Sequence, residues 1–598
     1  MAANHGFSES LLNSAPIPWT KAALPSLLLL LLAPKSRLPI SAQEPQGGGQ
    51  GLVLTYGTHG LERLTYRGKV LEDLGQFPRD ELHIWHMKSF DRAGHVLKAG
   101  EYGWGENNTG RRWDAESRSW LYTFSWGTIR TSFAQHGNTL DIAVTETNRA
   151  GSGTVLGGAT VFPLVLHLPR AEHGSPGSQV IEGTEQPGVT LVQYAGGEVT
   201  VVALDARKPV YSGLLRAGED GYSAVLSTTR PDSLPAPVPG EFHEMNLLQP
   251  GASETWTLSL RFAAPGIPIW QMAEDAFRNW VQRWPQRLAW SDQRLIGTVY
   301  LASSPTGDKH QPGGFPGNPR RYFNDSTGDF NVQTPAGIAL FQKRVLQKAL
   351  TVAENLRRMD AQGAITWDIE GEQYPQDTSY VCAPDQIARV APEMETLVSD
   401  KRSPYAGMKL DDAYFKTIRD AGFRVGVCVR PQRLTIDADG RAEQTLVPDP
   451  AATAELVHKM QWARQRWGAT LFYLDSTVER DGSTLPAAVI EAAAAALPDC
   501  LLIPEESTPR MYRVAAPFKT FLFHGDLGTP WWMRKLYPRA FAANLVNDVD
   551  PGKLAASRAA LVDAMRQGDI LMVHADEWQR NDPEVTAMYR EAHRASRH

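Results

Sequence analysis

The sequence predicts a multidomain protein with an N-terminal antiparallel β-sandwich followed by a (β/α)8 TIM barrel. From Gly51 to about Pro265, short alternating apolar runs are broken by Gly, Pro, Asn and Asp, as in antiparallel sheets. From about Arg294 onward, short apolar runs alternate with longer amphipathic stretches, which is typical of parallel strands joined by crossover helices. A length of 598 residues fits two to four domains.

The amino terminus has the pattern of an export signal. An apolar run at 22–33 is shorter than the roughly 20 residues that span a bilayer, and Ile40-Ser41-Ala42 offers a cleavage site. We therefore expect a signal peptide at 1–42 and a periplasmic or extracellular protein without stable membrane insertion. Lys35 and Arg37 lie between the run and the cleavage site, so a cytoplasmic protein with an unusual tail is the alternative.

The remaining chain is divided by composition. Residues 43–51, QEPQGGGQG, have the composition of a flexible linker. The predicted β-sandwich occupies 52–265, and the amphipathic stretch PIWQMAEDAFRNWVQRWP lies in a helical connector at 266–293. The predicted barrel occupies 294–598, a usual length for that fold.

Charge and cysteine content exclude several classes of protein. A net charge of −6 without a long basic run argues against nucleic acid as the main partner. Cys382, Cys428 and Cys500 are the three cysteines, too few for a disulfide framework and wrongly spaced for zinc, so we expect buried free thiols. The number of tryptophans, 17, is high for this length, and some of them are expected to form flat platforms for sugar rings.

Eight apolar runs in the second half predict the barrel strands. They lie at 295–303, 363–371, 424–431, 470–477, 500–507, 520–526, 540–548 and 568–576. Helix-start signals between them include Thr334-Pro335, which opens a periodic run to Met359, and Asp449-Pro450, which opens one to Trp467. A doubly wound open sheet is the weaker alternative, because no Gly-rich loop follows the first strand.

Acidic residues follow most of these strands, where a barrel exposes its functional edge. They are Asp368 and Glu370 after strand two, Asp475 after strand four, Glu505 and Glu506 after strand five, Asp526 after strand six, Asp548 after strand seven and Asp576 after strand eight. Each acid alone is more often a helix cap or a salt-bridge partner. Crowded together, acids raise one another's pKa values, which gives a protonated acid beside an ionised base.

Two of these acids have the placement that glycoside hydrolysis requires. That reaction uses two carboxyl groups at the scissile bond, which adjacent barrel strands can supply. Alternation puts Leu471, Tyr473 and Asp475 on one face of strand four, and Glu505 has the same position on strand five. Pro504 can introduce a bulge that reverses this alternation, so Glu506 is a rival to Glu505.

The architecture and these motifs resemble the retaining α-glycoside hydrolases. They are most similar to the α-N-acetylgalactosaminidase families, a likeness that implies Asp475 of FYLDST as nucleophile and Glu505 of LLIPEEST as general acid/base. The α-galactosidase and α-glucosidase clan is the competing resemblance. It implies the same nucleophile, but Asp526 of FLFHGDLG as proton donor, with Trp531 and Trp532 as a sugar platform.

Supporting roles are expected for other residues at the same edge. We expect Arg430 to pair with a carboxylate and keep it ionised, and the other residues to hold the sugar. The expected substrate-binding residues are Asp368, Glu370, Arg430, His524, Trp531, Asp548 and His574. The histidines rank below the acids, because a lone histidine is more often structural.

The sequence therefore predicts a hydrolase of α-linked sugars, of α-N-acetylgalactosaminide or α-galactoside type, that acts on a glycan or glycoconjugate. No cofactor and no metal are expected. A non-catalytic carbohydrate-binding protein and a metal-dependent barrel hydrolase are the alternatives, although the sequence lacks HxH and HExxH spacings. The exact sugar, the linkage and the oligomeric state stay open.

Overall fold

The structure is a computed structural model. It describes residues 51–58, 60–73, 83–86, 89–91, 96–98, 108–151, 153–157, 160–168, 178–181, 189–194, 197–203, 211–217, 221–227, 248–302, 317–323, 331–372, 380–436, 442–478, 484–521 and 527–594. The predicted signal peptide and residues 43–50 of the predicted linker lie outside the described residues. None of the described helices combines the length and apolar character needed to cross a membrane.

The described chain divides into two compact units between Pro285 and Gln286. The first unit is built from antiparallel strands. These are β1 (Leu52–Gly57), β2 (Gly60–Tyr66), β3 (Lys69–Asp73), β4 (His83–His86), β5 (Ser89–Phe90), β6 (Val96–Lys98), β7 (Asn108–Asp114), β8 (Ser119–Phe124), β9 (Gly127–His136), β10 (Thr139–Asn148), β11 (Val155–Leu156), β12 (Thr160–His167), β13 (Ser178–Ile181), β14 (Val189–Tyr194), β15 (Gly197–Ala203), β16 (Tyr211–Ala217), β17 (Gly221–Ser227) and β18 (Ser253–Ala263).

These strands form one large sheet and three smaller ones. The eight-stranded sheet has the order β13-β14-β15-β18-β10-β9-β8-β7, and the four-stranded sheet has the order β16-β17-β12-β4. Two three-stranded sheets have the orders β1-β2-β3 and β11-β5-β6. The predicted antiparallel strands are therefore confirmed, while their packing as a β-sandwich stays a prediction.

Strand β10 illustrates why this sequence forms a half-buried sheet. Leu140, Ile142 and Val144 are buried and alternate with partly exposed residues. On the other face, the hydroxyls of Thr145 and Thr255 lie 2.7 Å apart, across the pair with β18. The hydrophobic pattern fixes the register, because a shift by one residue would expose the buried side chains.

Two helices follow this sheet, α1 (Ile269–Met272) and α2 (Glu274–Arg283). Arg261 of β18 binds both of them, since its guanidinium donates to the Met272 carbonyl at 2.8 Å and to Asp275 Oδ2 at 2.8 Å. This part of the predicted connector therefore packs with the first unit. Residues after Pro285 belong to the second unit, where the Arg287 and Leu288 amides donate to the Arg513 carbonyl.

The second unit alternates strands and helices. The strands are β19 (Ile296–Val299), β20 (Gly363–Thr366), β21 (Arg424–Val429), β22 (Arg433–Ile436), β23 (Ala442–Thr445), β24 (Leu471–Leu474), β25 (Leu501–Pro504), β26 (Phe518–Thr520), β27 (Ala543–Leu545) and β28 (Ile570–His574). The α-helices are α3 (Pro335–Met359), α4 (Ile387–Val390), α5 (Leu410–Asp420), α6 (Asp449–Trp467), α7 (Ala487–Ala496), α8 (Trp531–Leu536), α9 (Pro551–Ala556), α10 (Arg558–Arg566) and α11 (Asp582–Arg594). Short 3-10 helices occupy Pro384–Gln386, Pro392–Glu395 and Pro509–Arg513.

Eight of these strands form a nearly closed parallel barrel. Their order is β25-β24-β21-β20-β19-β28-β27-β26, so the first and the last strand of the barrel are paired. At the seam between β25 and β26, the Ala516 amide donates to the Leu502 carbonyl at 2.9 Å. The predicted eight-strand parallel unit is confirmed. The sixth strand begins at Phe518, before the predicted 520–526 run, most of which lies outside the described residues.

Both helices predicted from start signals are present, and the cap predicted at Thr334 is confirmed. Thr334 caps α3 by accepting the Gly337 amide at 3.1 Å, with Pro335 as the first helical residue. At the other end, Asp360 adopts a left-handed conformation with φ of 56° and stops the helix. Asp449 differs from the expectation, because it is the first residue of α6 and not its capping residue.

Strand alternation separates two cores in this unit. One set of strand side chains, including Cys428, Tyr473, Ile503 and Met572, clusters inside the barrel. The alternate set packs against the helices, as Phe472 does. The interior is thus a packed core, as in other (β/α)8 barrels, and the side chains that follow it at the carboxyl ends of the strands line its mouth.

We expect Asp569 to be a main anchor of the barrel. It is fully buried before β28 and accepts the Thr529 amide at 3.0 Å, the Ala542 amide at 2.8 Å and Arg534 Nη2 at 2.8 Å. Replacement Asp569→Ala leaves these donors without their acceptor, so it should lower the free energy of unfolding by about 3–5 kcal/mol. Urea unfolding followed by circular dichroism measures this.

The matched control for this prediction is Asp563→Ala. Asp563 lies on the exposed face of α10, and its loss should change the free energy of unfolding by less than about 0.5 kcal/mol. Equal effects of the two substitutions would contradict the anchoring role.

Candidate active site

Four strands deliver charged side chains to the mouth of the barrel. Arg430 follows β21, Asp475 follows β24, Glu505 follows β25, and His574 ends β28. The β24–β25 register runs unbroken from Leu471 with Leu501 to Leu474 with Pro504. Pro504 therefore introduces no bulge, and the alternation that selects Glu505 over Glu506 is kept.

Asp475 is held in a buried ion pair with Arg430. Both residues are less than 10% exposed, and Arg430 Nε and Nη2 donate to Asp475 Oδ2 at 2.8 and 2.6 Å. The Ser476 hydroxyl donates to Asp475 Oδ1 at 3.2 Å. Burial disfavours the charged carboxylate, but Arg430 and the hydrogen bonds outweigh it and hold the pKa of Asp475 below its ordinary value. Asp475 is therefore ionised at neutral pH.

Glu505 has the opposite electrostatic state. Its side chain is partly exposed and accepts the Ser476 amide at 2.7 Å, and it is hydrogen-bonded to the Asp475 carboxylate. Burial and the nearby charge of Asp475 raise the pKa of Glu505 to about 8. The two adjacent carboxyls thus share one proton at neutral pH, and that proton resides on Glu505.

Ser476 connects the two carboxyls, a role that the sequence analysis did not assign to it. It has a φ of 52°, a left-handed conformation that is uncommon for residues other than glycine. This turn directs its amide to Glu505 and its hydroxyl to Asp475. The position of Ser476 directly after a strand-end aspartate was the available signal, but the backbone conformation that makes it useful is not visible in the sequence.

Lys459 supports Arg430 from behind and was also missed. It is 1% exposed on α6, and its Nζ donates to the carbonyls of Arg430 and Gln432 at 3.0 and 2.6 Å. The Arg430 amide in turn donates to the Cys382 carbonyl at 3.1 Å. The backbone that carries Arg430 is therefore held on both sides, which orients its guanidinium toward Asp475.

Asp368 and Glu370, expected to hold sugar hydroxyls, are both fully buried. Asp368 accepts the amides of Leu301 and Ala302, each at 2.7 Å, and burial raises its pKa to about 7 in spite of them. Glu370 has no hydrogen-bond partner within the described part of the chain, and burial raises its pKa to about 8. Asp368 thus ties β20 to the segment after β19, and a sugar-binding role for these acids stays a prediction.

His574 lies between two carboxylates. Its Nε2 is 3.2 Å from Asp548 Oδ2, and its Nδ1 is 3.3 Å from Asp576 Oδ1. Burial disfavours the imidazolium, but these carboxylates offset that and raise the pKa of His574 to about 9. His574 is therefore a cation at neutral pH, and its ring lies 5.7 Å from the Tyr300 ring between centroids, at an interplanar angle of 63°.

Two of the other expected site residues, Glu506 and Trp531, belong to the described part of the chain. The Glu506 side chain is exposed, and its amide donates to the Thr477 hydroxyl at 2.8 Å. Trp531 begins α8 and is 44% exposed, as a platform residue would be. His524 and Asp526 lie outside the described residues.

The expected buried thiols are confirmed, since Cys382, Cys428 and Cys500 are all free and buried. Cys382 Sγ lies 3.7 Å from Asp475 Oδ2. Within the described ranges, Cys382, Cys428 and Asp475 are the one group of three side chains whose donor atoms lie close enough together to hold a metal ion.

Comparisons with known proteins give structural neighbours only. No family model and no curated protein sequence matches the chain. The GH36 α-galactosidase AgaB from Geobacillus stearothermophilus is similar with a TM-score of 0.40 and 11% identity, over 93% of this chain and 76% of that one. A GH31 sulfoquinovosidase from E. rectale is similar with a TM-score of 0.41 and 8% identity, over 90% of this chain and 82% of that one.

A further neighbour is the galactosidase domain of an α-galactosidase–sucrose kinase, AgaSK. Its TM-score is 0.38 at 8% identity, over 86% of this chain and 72% of that one. These three neighbours are glycoside hydrolases. At such TM-scores and identities, the likeness assigns neither an activity nor a substrate to this chain.

The raised pKa of Glu505 predicts a pH-dependent stability. A carboxyl that stays protonated to about pH 8 when folded, but ionises near pH 4.3 when unfolded, stabilises the fold at low pH and loses this contribution as pH rises to about 8. The free energy of unfolding of the wild type, relative to Glu505→Gln, should therefore fall between about pH 4 and pH 8. Urea titrations across this range measure it.

Glu506→Gln is the matched control, because Glu506 is the exposed neighbour of Glu505. It should keep the pH dependence of the wild type. A constant difference between the wild type and Glu505→Gln over the whole range would contradict a protonated Glu505.

Proposed function

We propose that this protein is a glycoside hydrolase that cleaves α-linked sugars, of α-galactoside or α-N-acetylgalactosaminide type, with Asp475 as the nucleophile. One observation carries the proposal. Two adjacent carboxyls at the mouth of the barrel, Asp475 and Glu505, have pKa values displaced in opposite directions. Pairs displaced in this way mark the acid and base assignments of an active site. The α configuration and the sugar type come from the resemblance of the sequence pattern.

The contacts of Asp475 fit the role of nucleophile. Arg430 keeps the carboxylate ionised, and its Nε and Nη2 both donate to Oδ2. We therefore assign the attack on the anomeric carbon to Oδ1. As the bond from Oδ1 to that carbon forms, the glycosidic bond breaks and its oxygen takes a proton from a carboxylic acid. Water then attacks the anomeric carbon of the glycosyl–enzyme ester, loses a proton to the same carboxylate and releases Asp475.

Glu505 is our first candidate for the proton donor, because it carries a proton at neutral pH. A proton donor with a pKa near the working pH is effective in general acid catalysis. The hydrogen bond between Glu505 and Asp475 favours a second candidate. Carboxyls that flank a glycosidic bond in retaining enzymes lie about 5–5.5 Å apart, further than a direct hydrogen bond allows. Asp526, from the next strand unit, is that second candidate.

Removal of the nucleophile should be rescued by an external anion. We expect Asp475→Gly to lower kcat/KM on an aryl α-glycoside by roughly 10³-fold or more, and sodium azide to restore turnover with formation of a glycosyl azide. The measurement is aryl release together with product identification by NMR. Azide restores turnover only if it can attack from the cavity that the carboxylate leaves. A nucleophile role for Asp475 therefore predicts rescue, and a purely structural role predicts none.

Two control arms separate the other classes of protein. The wild type is assayed with and without a chelator, because loss of activity with the chelator would indicate a metal-dependent hydrolase. Sugar binding is measured for the wild type and for Asp475→Gly. Binding by the wild type without hydrolysis of any glycoside would indicate a carbohydrate-binding protein. The exposed-site variant Glu506→Ala should keep wild-type activity.

The proton donor can be identified by the dependence of the rate on the leaving group. We expect Glu505→Ala to lose about 10²- to 10⁴-fold in kcat/KM on substrates with poor leaving groups, but to retain activity on dinitrophenyl glycosides, which need no protonation. The alkaline limb of the pH profile near pH 8 should disappear with it. Wild-type behaviour of Glu505→Ala, with this pattern in Asp526→Ala, would move the assignment to Asp526.

A further inference from the structure

Two thiols from distant parts of the chain meet beside Asp475. Cys382 precedes the 3-10 helix Pro384–Gln386, and Cys428 lies within β21. The two Sγ atoms and a carboxylate oxygen of Asp475 all lie within 4.8 Å of one another. Cys382 and Cys428 are 0% and 1% exposed. The proposed mechanism assigns neither thiol a role.

The backbone holds this pair of thiols in place. Cys428 is paired with Tyr473 in the parallel sheet, so it cannot shift along its strand. The Cys382 carbonyl accepts the amide of Arg430, two residues after Cys428, at 3.1 Å. Cys382 also has a φ of 48°, which is unusual for a residue with a side chain. Such a conformation persists only where the surroundings impose it, and here it turns the thiol toward Cys428 and Asp475.

The surrounding charges favour a disulfide here over a metal ion. Burial raises the pKa of Cys382 to about 11, so the thiols are neutral at physiological pH. A divalent cation would have to displace two thiol protons and would lie next to the Arg430 guanidinium, which already neutralises Asp475. A disulfide is neutral, so its formation places no new charge in this buried site.

We propose that Cys382 and Cys428 form a redox modification site that closes to a disulfide in the presence of a small disulfide oxidant such as oxidised glutathione. One thiol of the pair gives up its proton and attacks a sulfur of the oxidant, whose disulfide bond breaks and releases one thiol that takes up a proton. The second cysteine then attacks the mixed disulfide, which forms the Cys382–Cys428 bond and releases the second thiol. The two cysteines lose two electrons and two protons in total, and the oxidant gains them.

Closure also changes the contacts of Asp475, a consequence that rests on the proposed function. In the dithiol, Cys382 Sγ can donate to Asp475 Oδ2 over 3.7 Å. The disulfide has no S–H, so Asp475 loses this donor, and its carboxylate is less stabilised when it leaves the glycosyl–enzyme ester in the second step. We expect the oxidised protein to hydrolyse aryl α-glycosides about 3- to 10-fold more slowly than the reduced protein, the range of one weak hydrogen bond.

The experiment equilibrates the whole protein in glutathione buffers that range from fully reduced to fully oxidised. Samples are taken from both the native protein and protein refolded in each buffer, so that slow access to the buried thiols does not decide the result. Free thiols are blocked by alkylation in denaturant, and peptides are mapped by mass spectrometry without reduction. Cys500 serves as the internal control, because its buried Sγ accepts Arg464 Nη1 at 3.0 Å and lies outside the group.

The expected result is a Cys382–Cys428 peptide pair at the oxidised end that disappears with dithiothreitol, while Cys500 stays alkylated throughout. Alkylation of Cys382 and Cys428 in every buffer, in native and refolded samples, would overturn the proposal, and so would a disulfide that includes Cys500.

Cys382→Ser and Cys428→Ser should each abolish the oxidative loss of hydrolysis, and Cys500→Ser should keep it. Unchanged turnover after closure would overturn the link to Asp475. Peptide mapping needs no glycosidase activity, so failure of the proposed function is scored separately.

Discussion

The buried ion pair between Arg430 and Asp475 is the constraint on which the site depends. Placing two charges where both residues are less than 10% exposed costs several kcal/mol in desolvation, which only good geometry and further hydrogen bonds can offset. The structure meets this condition, since two guanidinium donors reach Asp475 Oδ2 and Lys459 holds the carbonyl of Arg430. This support makes Asp475 a fixed negative charge at the barrel mouth.

The rest of the charge distribution follows from that fixed charge. Glu505 lies within hydrogen-bonding contact of Asp475 and is protonated, because burial and the negative charge of Asp475 both disfavour its ionised form. On β28, His574 carries a positive charge between Asp548 and Asp576. The strand ends thus combine an ionised carboxylate, a neutral acid and a buried cation. Proton transfer and charge stabilisation at an acetal centre need groups of these kinds.

Close contacts around Asp475 link the redox state of the two thiols to the site. Cys382 touches Asp475, contacts Arg430 through its backbone and lies next to Cys428. A change at the thiols therefore reaches the carboxylate without any movement of a domain or a loop. The first unit places a polar contact outside its interior, since the hydroxyls of Thr145 and Thr255 pair on the exposed face of its sheet. The core of that unit is apolar.

The sequence by itself determined the eight parallel strands, the cap of α3 at Thr334, and the placement of Asp475 and Glu505 on the same face of neighbouring strands. These features depend on local periodicity and on a few residues in sequence, which are legible without a structure. Only the tertiary structure decided that Asp368 binds backbone amides, that Glu505 hydrogen-bonds Asp475, and that two thiols meet beside them. Such contacts join residues far apart in the chain. The pKa values of these side chains are set by burial and by neighbours that no sequence window contains.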